Sequence, residues 1–152
     1  MRLFLHSITT ATLAAACLTS GLLATPASAG EKLALVERAT TDAVIDNAPT
    51  GDSAGDLLTF ANEIYNDSNT TLVGSDNGMC IRTAVGAAWE CIWTVTLSEG
   101  QITVEGPFYD TKDSVLAITG GTGEYVHARG SMALHARNDK GTEYDFVYSL
   151  ED

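Results

Sequence analysis

Two adjacent charges, Glu37 and Arg38, interrupt an otherwise apolar run, Leu33-Ala34-Leu35-Val36-Glu37-Arg38-Ala39. On a solvent face they need no explanation. Aimed into a cavity, either one would require a partner or a substrate, because a charge removed from water is costly unless compensated. A second stretch runs from Leu116 through Gly120-Gly121-Thr122-Gly123 to Glu124-Tyr125-Val126-His127-Ala128-Arg129-Gly130. Glycine adopts positive φ without steric cost, so three glycines in four residues mark a tightly specified turn. A phosphate cradle is the chemical alternative. The dinucleotide fingerprint fails, because reading from Gly121 puts Val126 where the last glycine belongs. No Lys-Ser/Thr pair follows, and the next segment reads as strand rather than helix.

Cys80 and Cys91 form the third group. A hairpin turning at Val85-Gly86 would set them directly opposite each other on adjacent strands, as a disulfide requires. Closing so short a loop contributes about 2–3 kcal/mol in the chain-entropy treatment. A thiol nucleophile or zinc ligand is the lesser reading, since no second Cys/His pair has zinc spacing. Asp52 and Asp56 lie in a loop, residues 47–56, without the spacing or closing Glu of an EF-hand. No metal is expected. There is no Gly-x-Ser-x-Gly elbow, and neither His127 nor His135 belongs to a nucleophile arrangement, so a hydrolase is disfavoured.

The elements that must position these groups follow a leader. Met1-Arg2 opens the chain, Leu3 to Leu23 is apolar and small, and Thr25-Pro26-Ala27-Ser28-Ala29 ends in Ala-x-Ala. This is the layout of a secretory signal peptide cleaved after Ala29. The alternative of a membrane anchor meets interspersed Ser7, Thr9, Thr10 and Thr12 and no basic stop-transfer cluster. A lipoprotein at Cys17 lacks the larger aliphatic residue expected just before it. Export to an oxidising compartment favours pairing of the two remaining cysteines. Cleavage leaves 123 of the 152 residues, and losing Arg2 takes the basic residues from 8 to 7 against 20 acidic ones, net −13. Residues 30–152 suffice for one domain with one core. So acidic a surface repels polyanions, which excludes nucleic acid and, once the leader is gone, an anionic membrane as expected partners.

Residues 31–46 read as one long strand or two short ones, with helix as the rival for the early part. Leu57 to Tyr65 alternates as a strand, with Leu58, Phe60, Asn62 and Ile64 on one face. Gly74-Ser75-Asp76-Asn77-Gly78 has turn composition. In the second strand of the hairpin Trp89, Cys91, Trp93, Val95 and Leu97 share a face. Further strands are expected at 101–109, before the glycine stretch, at 131–137 and at 143–150, the last two joined by Asn138-Asp139-Lys140-Gly141. Roughly seven to nine strands at this spacing, without a helical period, predict an all-β sandwich or barrel.

Residues 56–65, Val73-Gly74, Gly100-Gln101-Ile102-Thr103-Val104-Glu105-Gly106, Ile118-Thr119-Gly120-Gly121-Thr122-Gly123-Glu124-Tyr125 and Ala128-Arg129-Gly130 together resemble the allene oxide cyclase/dirigent superfamily. The Gly-Gly-Thr-Gly-x-aromatic turn followed by Ala-Arg-Gly is the most specific element, and the resemblance spans about residues 33–150. The leader and the cysteine pair resemble exported actinobacterial members. The resemblance implies an eight-stranded antiparallel β-barrel, commonly a homotrimer, whose apolar interior holds a hydrophobic small molecule. It implies steering of stereochemistry by shape, with no metal or organic cofactor.

By the same resemblance Arg129 and Glu37 are the candidate catalytic residues. The cyclase pattern Glu-x-Asn is here Glu37-Arg38-Ala39, without the Asn, which counts against true allene oxide cyclase activity. Asn62, Tyr65, Trp93, Tyr109 and Tyr148 are the candidate ligand-binding residues, although aromatics at strand spacing are more often plain core. A cyclase or isomerase giving stereocontrol over ring closure is the expected function. A non-catalytic dirigent-type or carrier barrel, or a fully packed structural one, fits the same residues.

Overall fold

The computed structural model describes residues 30–151, and the expected leader, residues 1–29, lies outside them. The strands are β1 (Glu31–Arg38), β2 (Ala43–Ile45), β3 (Leu57–Phe60), β4 (Glu63–Asn66), β5 (Leu72–Ala84), β6 (Ala88–Leu97), β7 (Gly100–Tyr109), β8 (Ser114–Gly123), β9 (Gly130–Ala136) and β10 (Glu143–Leu150). No helix occurs among the described residues.

Ten strands make eight staves. β1 pairs with β4 while β2 pairs with β3, and β3 and β4 both pair with β5. Thus β1–β2 is one broken stave and β3–β4 is another. The ladder continues through β6, β7, β8, β9 and β10 back to β1, all antiparallel, and closes the barrel. Leu57 to Tyr65 is therefore not one strand, since it breaks at Ala61-Asn62, yet its phase survives and Asn62 and Ile64 are buried. Residues 31–46 take the two-strand option.

The sharpest departure from composition is β5. Gly74 to Gly78 is not a turn but the middle of a 13-residue strand. A side chain on Gly74 would strike the Thr96 carbonyl, and one on Gly78 the Phe60 ring and the Trp93 Cβ. These glycines serve close packing, and the strand between them carries Asp76 inward with no exposure. The Gly120–Gly123 stretch likewise stays within β8, where Thr119 is an extra residue opposite Thr103 and Val104. The reversal itself occupies residues 124–127, entered through Gly123 at φ 62.

Strand alternation fills the interior. Along β6, Trp89, Cys91, Trp93 and Val95 are buried, as their spacing predicts, while Glu90 and Ile92 face out. Ile64, Ile102, Leu116, Met132, Phe146 and Tyr148 are almost wholly removed from solvent, each burial contributing about 1.5–3 kcal/mol. The hairpin register sets Cys80 opposite Cys91, and a disulfide joins them. Titration of denatured, unreduced protein spanning residues 30–152 is expected to find no free thiol. Reduction should cost about 2–3 kcal/mol of stability, read as a lower urea midpoint with a slope that does not fall, because the unfolded chain is released from its cross-link.

Asp52 and Asp56 have protein partners. Asp56 accepts hydrogen bonds from the N–H groups of Asn47 and Ser53. Asp52 lies 2.7 Å from Arg82 Nε, off the N–H axis, while Arg82 Nη1 donates to both Asp110 oxygens at 2.8 Å. This buried arginine fastens the 46–56 loop to the loop after β7.

Candidate functional site

Alternation along β1 decides between the two charges that open the chain's chemistry. Glu37 points inward and is 6% exposed. Arg38 points outward, where it donates to the Asn69 side chain and carbonyl and lies 3.6 Å over the Tyr65 ring. Tyr65 is therefore on the outer wall, apart from the interior.

Asn62, at the break between β3 and β4, joins both broken staves. Its carbonyl oxygen accepts from Thr40 N–H, Thr41 N–H and the Thr41 hydroxyl at 2.9–3.0 Å. Its amide nitrogen donates to Glu37 Oε1 and Asp42 Oδ1, both at 2.8 Å. Asp76 Oδ1 accepts the Asn62 N–H at 2.9 Å. The other Asp76 oxygen is buried, lacks a hydrogen bond when both acids are drawn ionised, and faces Glu37. One proton between the two carboxyls supplies the missing bond.

The electrostatics agree. Burial, then the Asp76 charge, pushes Glu37 well above its ordinary value, against the pull of the Asn62 amide. Burial raises Asp76 to about 6. The shared proton sits on Glu37, which donates to Asp76, and the pair holds it to higher pH than an ordinary carboxyl would. Tyr148 lies beneath, fully buried, its hydroxyl raised above its ordinary pKa by burial first. It faces the Trp93 indole N–H without an aligned hydrogen bond, leaving both groups unsatisfied.

Above this floor lies a narrow slot of about 40 Å³, lined by Glu37, Asp42, Phe60, Trp93, Tyr144 and Phe146, with the disulfide in its wall. That exceeds the ~10–15 Å³ one water needs and is far below the ~300 Å³ of a drug-sized pocket. Phe60 meets Trp93 edge-on at 6.0 Å, and Trp93 tilts against Phe146 at 5.6 Å. Phe108, Leu134 and Tyr144 also line a basin of about 500 Å³ at the barrel mouth. Phe108 and Tyr144 stand edge to face at 5.9 Å, between basin and slot.

Of the predicted site residues, Glu37 and Trp93 line the slot, Asn62 holds its floor, Tyr148 lies under it and Tyr109 sits in the outer basin. Arg129 does not join them. β1 runs antiparallel to β10 from Glu31 beside Leu150 to Glu37 beside Tyr144, and the Arg129 carbonyl accepts the N–H of Glu151. Six strand residues separate the two levels, about 20 Å. Arg129 instead lines a cleft at the other mouth with Glu31, Glu99, Glu124 and Glu151. Sequence reasoning missed Asp76, Asp42 and Tyr144. Tyr144 sits two residues before Phe146 and four before Tyr148, a spacing that places all three on one face.

Fold and site together define a closed antiparallel barrel with an aromatic slot at one mouth and a proton-sharing carboxyl pair as its floor. The allene oxide cyclase family profile matches residues 36–149, and the chain belongs to that family. Among solved structures it is similar to a pyocyanin demethylase, at 26% identity and TM-score 0.68, covering 78% of this chain and 100% of the other. It is similar in fold to AbnU, an exo-specific intermolecular Diels-Alderase, at 16% identity and TM-score 0.64, covering 81% and 100%. The pterocarpan synthase dirigent protein PsPTS1 shares the fold at 15% identity and TM-score 0.64, covering 84% and 99%.

Proposed function

We propose that the protein is an exported cyclase or isomerase that holds part of a hydrophobic small molecule in the slot and controls the stereochemistry of its ring closure. The observation that supports this most is Glu37 itself, a buried carboxyl raised above its ordinary pKa by burial and presented to an apolar, aromatic-lined space. The slot restricts the substrate to one reactive conformer, an effect worth several kcal/mol of barrier. Glu37 donates its proton to a developing negative charge on a substrate oxygen, and recovers a proton from the cyclised product. Asp76 and Asn62 hold the Glu37 carboxyl in place between the two events. The reaction needs no cofactor in this scheme, and Arg129 takes no part in it.

The Cys80–Cys91 disulfide is compatible with an extracellular location, and export with cleavage after Ala29 belongs to the proposal. Amino-terminal sequencing of the exported protein should begin at Gly30. A homotrimer is the proposed assembly, checked by light scattering. The small volume of the slot favours a second reading, in which a ligand is held and presented without conversion.

Glu37→Gln separates the two readings. Glutamine keeps both hydrogen bonds, accepting from Asn62 and donating to Asp76, but cannot supply a proton. The purified barrel is incubated with the apolar extract of its source culture, and products are followed by chiral chromatography and mass spectrometry. An enantiomer-enriched product is expected, falling about 10²–10⁴-fold with Glu37→Gln. Turnover unchanged in the variant removes the acid role. A compound retained but unaltered by both proteins supports the carrier.

A further inference from the structure

Ring closure driven by Glu37 alone leaves a second carboxyl in the slot without a task. The Asn62 side-chain carbonyl accepts from Thr40 N–H, Thr41 N–H and the Thr41 hydroxyl, which fixes the amide with its nitrogen toward the acids. That nitrogen donates to Glu37 Oε1 and to Asp42 Oδ1, each at 2.8 Å. The two hydrogens of a planar amide diverge by about 120°, so the two acceptor oxygens stand on the order of 5 Å apart. Both residues line the slot.

Their surroundings differ. Glu37 is buried and carries the proton it shares with Asp76. Asp42 lies on the exposed link between β1 and β2, and its second oxygen has no hydrogen bond among the described residues. The buried carboxyl is the proton donor and the solvated one the acceptor, a division of roles that two unlike environments create. A carbonyl oxygen and its α-carbon are about 2.4 Å apart, so an O=C–C–H unit fits across the gap with its oxygen toward Glu37 and its C–H toward Asp42.

We infer that Asp42 is the general base to the Glu37 acid, and that the site shifts the double bond of a small β,γ-unsaturated ketone by moving a proton. Asp42 takes the proton from the α-carbon, the C–H electron pair becomes a carbon–carbon double bond, and the carbonyl oxygen takes the proton of Glu37. Asp42 then returns its proton to the γ-carbon and Glu37 recovers its own from the enol oxygen. The double bond ends in conjugation, and nothing is oxidised or reduced. The enol is also a carbon nucleophile, which makes its formation a step toward ring closure. The inference rests on the slot being a binding site and on Glu37 as its acid, as proposed above.

The probe is 3-cyclohexen-1-one, a single ring chosen for a slot of about 40 Å³, added to nitrogen-15-labelled protein spanning residues 30–152. Ultraviolet absorbance reads its conversion to 2-cyclohexen-1-one, and the Trp93 indole N–H resonance reads occupancy of the slot. Conversion should exceed that in buffer, and Asp42→Asn should lower it about 10²–10⁴-fold. The urea midpoint of that variant should not fall, because the asparagine oxygen still accepts from Asn62. Conversion at the wild-type rate in Asp42→Asn overturns Asp42 as base and leaves the slot and Glu37 in place. A shifted Trp93 resonance without conversion by wild type overturns the proton transfer, while the slot reading stands. A resonance unmoved at high ketone concentration, again without conversion, overturns the slot reading and the inference with it.

Discussion

At pH 8, replacing Asp76 with asparagine is expected to stabilise the folded barrel by about 3 kcal/mol, while leaving its stability near pH 4 almost unchanged. Asp76 is raised from 3.8 to about 6, by burial first, with hydrogen bonds from Glu37 and the Asn62 N–H pulling the other way. An acid with a raised folded-state pKa keeps its proton longer in the folded protein than in the unfolded chain. Between the two values the folded state binds more protons, so stability falls as pH rises. The contribution is fully present below about pH 4 and lost as pH climbs through about 6; Glu37, raised well above 4.5, extends the fall higher. Asparagine keeps the acceptor for the Asn62 N–H, and its amide can donate to an ionised Glu37. Urea unfolding of both proteins at pH 4, 6 and 8 measures the effect. Carboxylates outside the pair titrate alike in both proteins and cancel in the difference, whereas Glu37, raised in part by Asp76, titrates lower in the variant. A variant that is less stable than wild type at pH 8 would sink the shared-proton assignment.

Asn62→Asp is expected to have the largest effect in the other direction, a loss of at least about 4 kcal/mol at pH 7. One edge of the native amide accepts from the backbone at Thr40 and Thr41, and the other donates to Glu37 and Asp42. Aspartate reproduces the first edge and reverses the second, setting a fourth carboxylate directly against Glu37 and Asp42, beside Asp76. Protonation restores a donor, so part of the loss should return as pH is lowered toward 4. Thermal melts and urea titrations across that range provide the check. An Asn62→Asp protein within 1 kcal/mol of wild type at pH 7 would show that the broken staves do not depend on this amide.

What could be read in the sequence was whatever depends on local alternation. The β6 inner face and the Cys80–Cys91 register follow from side chains alternating along a strand, whereas alternation left either Glu37 or Arg38 free to face inward and the family resemblance singled out Glu37. Asp76 was hidden because Gly74-Ser75-Asp76-Asn77-Gly78 has the composition of a turn. Its glycines answer to Thr96, Phe60 and Trp93 across the sheet and the barrel interior, and no local pattern records those neighbours. Arg129 failed to join Glu37 for a related reason. Which mouth a residue occupies depends on the stagger of eight staves, a property of the closed barrel. Asn62 was assigned to ligand contact, but its hydrogen bonds are committed to Thr40, Thr41, Asp42 and Glu37.

The seam between the first and last strands carries a kinetic consequence. Glu31 pairs with Leu150 and Glu37 with Tyr144, residues more than a hundred positions apart in the chain. Contacts of such long range form slowly, because the chain entropy of closing the loop is lost before the pairing rewards it. The slot draws Glu37 from one side of this seam and Tyr144 and Phe146 from the other. The binding site is thus completed by the closing step of folding itself. A chain stalled before that step would present an open sheet edge and no functional slot, so ligand binding during refolding should report closure of the barrel, and nothing earlier.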